Sequence, residues 1–254
     1  MELSGHSSSG DTPEGISLLF AAGSRLSAVD LARLLDTAEA GVSARISHRP
    51  DPAEGWLEIL IAGLTFELRG LSPADPAPWE SAAHIYGFDS APPAGGLEAV
   101  ELVPARHIAS GARLFPVMRA MLKFAADLAL QVPMAAVVWQ PAGTMMEPRY
   151  FSRVVLNWLA GGAFPALGLT ALIPAGDGSV YSDGLSHFIG QEMQLEGGEN
   201  ETPAEAVKLA IRLVDHLVSQ GPIAAPQVIE QENATVLAEP SAAGRRVWIS
   251  RLRR

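Results

Sequence analysis

The hydrophobic positions fall into short blocks whose spacing changes along the chain. Ile16 to Ala22 is a short apolar run and predicts a buried strand. Ser27, with Asp30 three residues on, predicts a helix start. Leu31, Leu34, Leu35 and Ala38 then keep helical spacing up to a stop at Gly41. Val42 to His48 alternates as a strand does. Trp56 to Ile61 and Leu64 to Leu68 predict two more strands, joined at Ala62-Gly63 by a two-residue turn in which glycine supplies positive φ.

Residues 70–96 break this pattern with Gly70, Pro73, Pro76, Pro78, Gly87, Pro92 and Pro93, and read as a connector or long surface loop. Trp79, Tyr86 and Phe88 lie inside it. Exposed loops rarely keep three aromatics, so the segment is expected to pack back onto the core; the alternative is an aromatic patch beside a pocket.

After a strand at Leu97–Val103, the apolar spacing of Val117, Met121, Phe124, Ala125 and Leu128 predicts a helix from Phe115 to Gln131. Pro116 suits its first turn and Pro133 ends it. Ala135 to Trp139 is apolar throughout, as a strand buried on both faces would be. Thr144 with Glu147 forms a capping box, so a helix is expected from there or from Pro148, with Tyr150, Phe151, Val154, Val155, Trp158 and Leu159 on its apolar face. Strands are expected at Ala166–Ile173, from Val180, and at Phe188–Leu195. Thr202, Pro203 and Glu205 then open the best-marked helix in the chain, with Ala206, Leu209, Leu213 and Leu217 as its buried stripe. Strands at Thr235–Ala238 and Val247–Leu252 close the sequence.

Strands and helices in mixed order, with hairpins, predict an α+β fold: a mixed or antiparallel sheet with helices packed on one face. The pattern also admits two strand-helix-strand-strand repeats. The expected organisation is a leader at 1–15, an N-terminal α/β unit at 16–69, the connector at 70–96 and a C-terminal α+β unit at 97–254, the two units being able to form one domain.

Composition narrows the function classes. The chain carries a net charge of −10 and no cysteine, with 48% hydrophobic residues. The charge argues against a general nucleic-acid binder, and the missing thiols exclude disulfides and a cysteine nucleophile. Only Lys123 and Lys208 are lysines, an arginine-heavy usage that suggests a bacterial source. The N-terminus lacks the basic and apolar regions of a signal peptide, so a cytoplasmic location is expected. Residues 154–176 are uncharged and long enough to cross a bilayer, but Gly161, Gly162, Pro165 and Pro174 interrupt them and favour a helix end, a turn and a strand. Arg245, Arg246, Arg251, Arg253 and Arg254 make the end of the chain basic. A solvated strand and tail is the first reading, an anion grip the second.

Two segments, Val137-Val138-Trp139-Gln140-Pro141-Ala142-Gly143 and Asp183-Gly184-Leu185-Ser186-His187-Phe188-Ile189-Gly190-Gln191-Glu192, resemble the uncharacterised bacterial family DUF4261 over about Ala135–Glu196, a quarter of the chain. Ile189 adds one residue to the family's spacing before Glu192. The resemblance implies a strand, a helix and two strands in that order, and no particular chemistry.

No catalytic signature stands out. His187, Asp183 and Glu192 are the nearest to one, and a hydrolase-like enzyme with a His/carboxylate site there is the alternative function. Neighbours on an extended strand point to opposite faces, so Ser186 and His187 would not meet as nucleophile and base. A metal on His187 and Glu192 would need a distant histidine such as His84 or His107, and no H-E-x-x-H spacing is present. His107, with Arg106 and Arg113, precedes a helix and admits an anion; ion pairing is the simpler reading. Trp139, Tyr150, Trp158 and His187 are the candidate ligand-pocket residues, although the aromatic members fall at core spacing and read first as packing. The expectation is therefore a non-enzymatic binding or protein-interaction module for a small molecule or a protein, with no cofactor, metal, nucleic acid or membrane.

Overall fold

The computed structural model describes residues 15–37, 42, 44–93, 95–199, 201–232 and 234–252. The expected leader lies outside these residues except for Gly15, as does the predicted stop of the first helix at Gly41. The chain folds as α+β, with two mixed sheets where the sequence pattern suggested one.

The first sheet is built around β1 (Ile16–Ala21), which is flanked antiparallel by β6 (Leu97–Pro104) and β7 (Ala136–Trp139). Beyond β6 follow β4 (Leu64–Arg69), β3 (Trp56–Ile61) and β2 (Arg45–His48); beyond β7 follow β8 (Thr144–Met146) and β5 (His84–Tyr86). The β3–β4 hairpin forms at the predicted dipeptide, and both turn residues take positive φ, Ala62 at 50° and Gly63 at 83°. That is the backbone whose twist matches the flanking strands. Strand β1 is buried from Ile16 to Phe20 because it has a neighbour on each edge and a layer on each face.

One of those layers is helical. Helix α2 (Phe115–Gln131) lies on β3, β4 and β6, and α3 (Pro148–Leu159) packs beside it on β7. The other layer is the 70–96 segment. Trp79, Ala82, Phe88 and Leu97 pack on a patch of Leu19, Ala77, Ala99, Ala136, Val138 and Met145, so the proline-rich stretch covers the sheet and does not stand off as a linker. Helix α1 (Ala28–Asp36) starts where Ser27 accepts from the Asp30 N–H, as the sequence predicts.

The second sheet runs β12 (Gln227–Gln231), β13 (Ala234–Pro240), β14 (Arg246–Arg251), β11 (Glu192–Leu195), β10 (Val180–Asp183) and β9 (Ala171–Pro174), with β11 and β14 parallel. Its inner face, including Val180, Leu195, Val236 and Ile249, is buried, and α5 (Pro203–Gln220) packs on its β9–β10–β11 part. Leu209, Leu213 and Leu217 are nearly fully buried on α5, each such burial stabilising by roughly 1.5–3 kcal/mol. The full capping box at Thr202 and Glu205 fixes the helix start.

Three local expectations are corrected. Thr144 sits in β8, its hydroxyl donating to the Gly168 carbonyl, and Glu147 caps α3 instead by accepting from the Tyr150 N–H. The strand expected over 166–173 is confined to Ala171–Pro174. The one expected over 188–195 is split: Ser186–Ile189 form a helical turn, α4, and only Glu192–Leu195 are extended. In both cases a glycine at positive φ, Gly168 at 133° and Gly190 at 75°, interrupts the run and turns the chain before the strand begins. No helix among the described residues is long and apolar enough to cross a membrane.

Candidate functional site

The segment 183–192 links β10 to β11 within the second sheet and packs against the first. Gly184 takes φ 84°, and a Cβ there would lie 2.9 Å from the Ala142 Cα, so the chain passes against the turn after β7 only as glycine. This brings α4 onto the first sheet. His187 is 4% exposed and meets the Trp139 ring edge-on at 5.2 Å; Phe188 packs against Trp139, Trp158, Phe164 and Phe115. Neither ring nitrogen of His187 and not the Trp139 Nε1 has a hydrogen-bond partner among the described residues. Burial, with the nearby Arg113 charge second, pushes the His187 pKa down to about 4, so the ring is neutral.

The three residues of the sequence-predicted acid-base cluster take separate positions. Asp183 is exposed at the end of β10. The Glu192 carboxylate accepts from the Ser182 hydroxyl and, at 2.9 Å, from the Ser186 N–H, while Ser182 accepts from the Met193 N–H at 2.7 Å. That carboxylate therefore ties α4 to the end of the sheet, and no hydrogen bond joins it to His187. Of the predicted pocket residues, Trp139, Trp158 and His187 share the buried aromatic cluster. Tyr150 lies apart, donating to the Leu167 carbonyl at 2.9 Å with its hydroxyl pKa raised by burial. His107 is 2.6 Å from the Thr65 hydroxyl, and His84 pairs with Thr144 in the sheet. No group of three or more His, Asp or Glu side chains among the described residues is placed to hold a metal.

The arrangement with most to offer a ligand lies on the outer side of α4. The turn between β13 and β14 carries Arg245, β14 opens on Arg246, and the loop before α2 carries Arg113. With Ser241, Glu192 and Trp248 they line a cleft of about 720 Å³. Strand alternation sets this up: Val247 and Ile249 point inward and are buried, so Arg246 and Trp248 point outward. Trp248 is 45% exposed and the Arg246 guanidinium stacks 5.4 Å above its ring. Among the described residues neither Arg245 nor Arg246 forms an ion pair, whereas Arg251 is paired with Glu201. Both Glu192 oxygens are engaged by Ser182 and Ser186, and three guanidinium groups outnumber that one carboxylate in the cleft, beside a flat apolar wall. The sequence marks the terminal arginines and, separately, Arg113 near His107 as possible anion contacts, but not their meeting: Arg113 lies more than a hundred residues from the others and enters the cleft only through the packing of α2. Comparison with protein families, with curated proteins and with solved structures found no match for this chain.

Proposed function

We propose that this chain is a non-enzymatic binding module that holds a small anionic ligand, carboxylate or phosphate, in the cleft of Arg113, Arg245, Arg246 and Trp248. One observation carries the reading: in a chain of net charge −10, three arginines from two distant segments line one cleft, and two of them have no ion-pair partner among the described residues. Guanidinium groups suit planar, bidentate recognition of carboxylate and phosphate. Trp248 supplies the apolar wall that would hold the body of the ligand. A cytoplasmic, bacterial setting fits the absence of cysteine and the arginine-heavy usage, and no membrane or nucleic-acid partner is invoked.

The hydrolytic alternative draws no support from the geometry, since His187 is buried without a carboxylate partner among the described residues. Calorimetric titration with inorganic phosphate and with citrate at low ionic strength tests the binding reading. A saturable interaction is expected, and the Arg245→Gln/Arg246→Gln double variant should weaken it by about tenfold or more. Absence of saturable binding to either anion, or equal binding by the double variant, would refute the reading.

A further inference from the structure

A second cleft lies on the other side of the molecule, where the 70–96 segment crosses the first sheet. We propose that it binds a small organic ammonium cation. The floor is Glu101 of β6 and Val138 of β7, which flank the buried Ser17 of β1 in one row of paired residues. The roof is Pro78 and Trp79, with Glu80 at its side, and the enclosed volume is about 270 Å³.

The cleft is fixed before any ligand arrives. The roof is pinned at one end by the Ala77 N–H donating to the Ala99 carbonyl at 3.0 Å. At the other end the Ala83 and His84 N–H groups both donate to the Gly143 carbonyl. Trp79 packs on the small-residue patch of the sheet. The Gln140 wall is also held: its amide N–H donates to the Ser17 hydroxyl at 2.9 Å, and its carbonyl accepts from the Gly15 N–H.

The lining decides the ligand charge. It holds two carboxylates, Glu80 and Glu101, and no Lys, Arg or His. Arg69 is shared between two carboxylates, 2.6 Å from Glu67, which also accepts from its Nε, and 3.7 Å from Glu101, while Glu80 has no ion-pair partner among the described residues. An indole beside a carboxylate in a partly apolar cleft attracts a cation with a weakly hydrated body, and an alkylammonium is such a group. Among the described residues no group of three or more carboxylates or histidines converges here to hold a bare metal ion, and an anion would meet two like charges.

The test is calorimetric titration with n-butylammonium and tetramethylammonium chlorides, with sodium chloride and n-butanol as controls. Saturable one-site binding is expected for the ammonium salts alone. Glu101→Gln and Trp79→Leu should each weaken it about tenfold, while Glu230→Gln, an exposed carboxylate on β12, should leave it unchanged. The Arg245→Gln/Arg246→Gln variant should also bind ammonium normally, so this cleft and the basic one succeed or fail separately. No saturable heat with either ammonium salt, or an affinity indifferent to both Glu101→Gln and Trp79→Leu, overturns the proposal.

Discussion

His187 should make this protein unusually sensitive to mild acid. The ring sits 4% exposed among Trp139 and Phe188, without a hydrogen-bond partner among the described residues and with the Arg113 charge near it. Its folded pKa is about 4 against an ordinary 6.5. Between those values the unfolded chain binds a proton that the folded chain refuses, so stability falls as pH falls through that interval. Each unit of difference corresponds to about 1.4 kcal/mol, so the full loss is about 3 kcal/mol below pH 4, and about 2 kcal/mol is already lost by pH 5. Above about pH 7 the ring is neutral in both states and contributes nothing to pH dependence.

His187→Phe isolates the effect. A phenyl ring fills the same space and takes no proton, and it removes two unpaired buried nitrogens, so the variant should match or exceed the wild type at neutral pH. Urea unfolding of both proteins across a pH series gives the difference in unfolding free energy, in which the carboxylates common to both cancel. That difference should be flat above about pH 7 and grow in favour of the variant by about 2 kcal/mol at pH 5. Parallel curves across the whole range would refute the reasoning.

Other substitutions probe the fold. Gly184→Ala places a Cβ against the Ala142 backbone at positive φ and should cost about 2 kcal/mol or more, lowering the melting temperature by roughly 4–8 °C in a thermal scan. Thr202→Ala removes the α5 capping box and should cost about 1 kcal/mol by the same measurement. Ala62→Asn should stabilise by up to about 1 kcal/mol, because Ala62 holds φ 50°, which asparagine tolerates better; an unchanged or lower melting temperature would count against it. Phe151→Ala opens a cavity beneath α3 and should cost about 3–5 kcal/mol in urea unfolding.

Much of the architecture is legible in the residues where local and tertiary preferences agree. Helix α2 appears over the predicted span because apolar spacing, Pro116 and Pro133 all point to it, and the Ala62-Gly63 hairpin because its turn chemistry is strong. Thr144 was misread because a capping pattern carries no record of its neighbours: Gly168 offers its hydroxyl an acceptor, and Tyr86 and Trp139 flank its strand. The division into two sheets could not be seen, since it depends on pairings such as β11 with β14, more than fifty residues apart. Of the candidate site, the aromatic cluster around Trp139 and His187 was readable as apolar packing. The basic cleft was half readable, because nothing in the spacing of Arg113 announces that α2 will carry it to the β13–β14 turn.

The placement of β1 has a consequence for how the molecule is made. Its two partners, β6 and β7, begin about 80 and 120 residues further along the chain. A ribosome therefore exports a greasy ribbon with both edges bare long before either companion exists. Assembly of the first sheet has to wait for late arrivals, which slows it and leaves the nascent chain open to mispairing. Truncations that end before Ala136 should consequently aggregate instead of folding in part, however regular their own segments are.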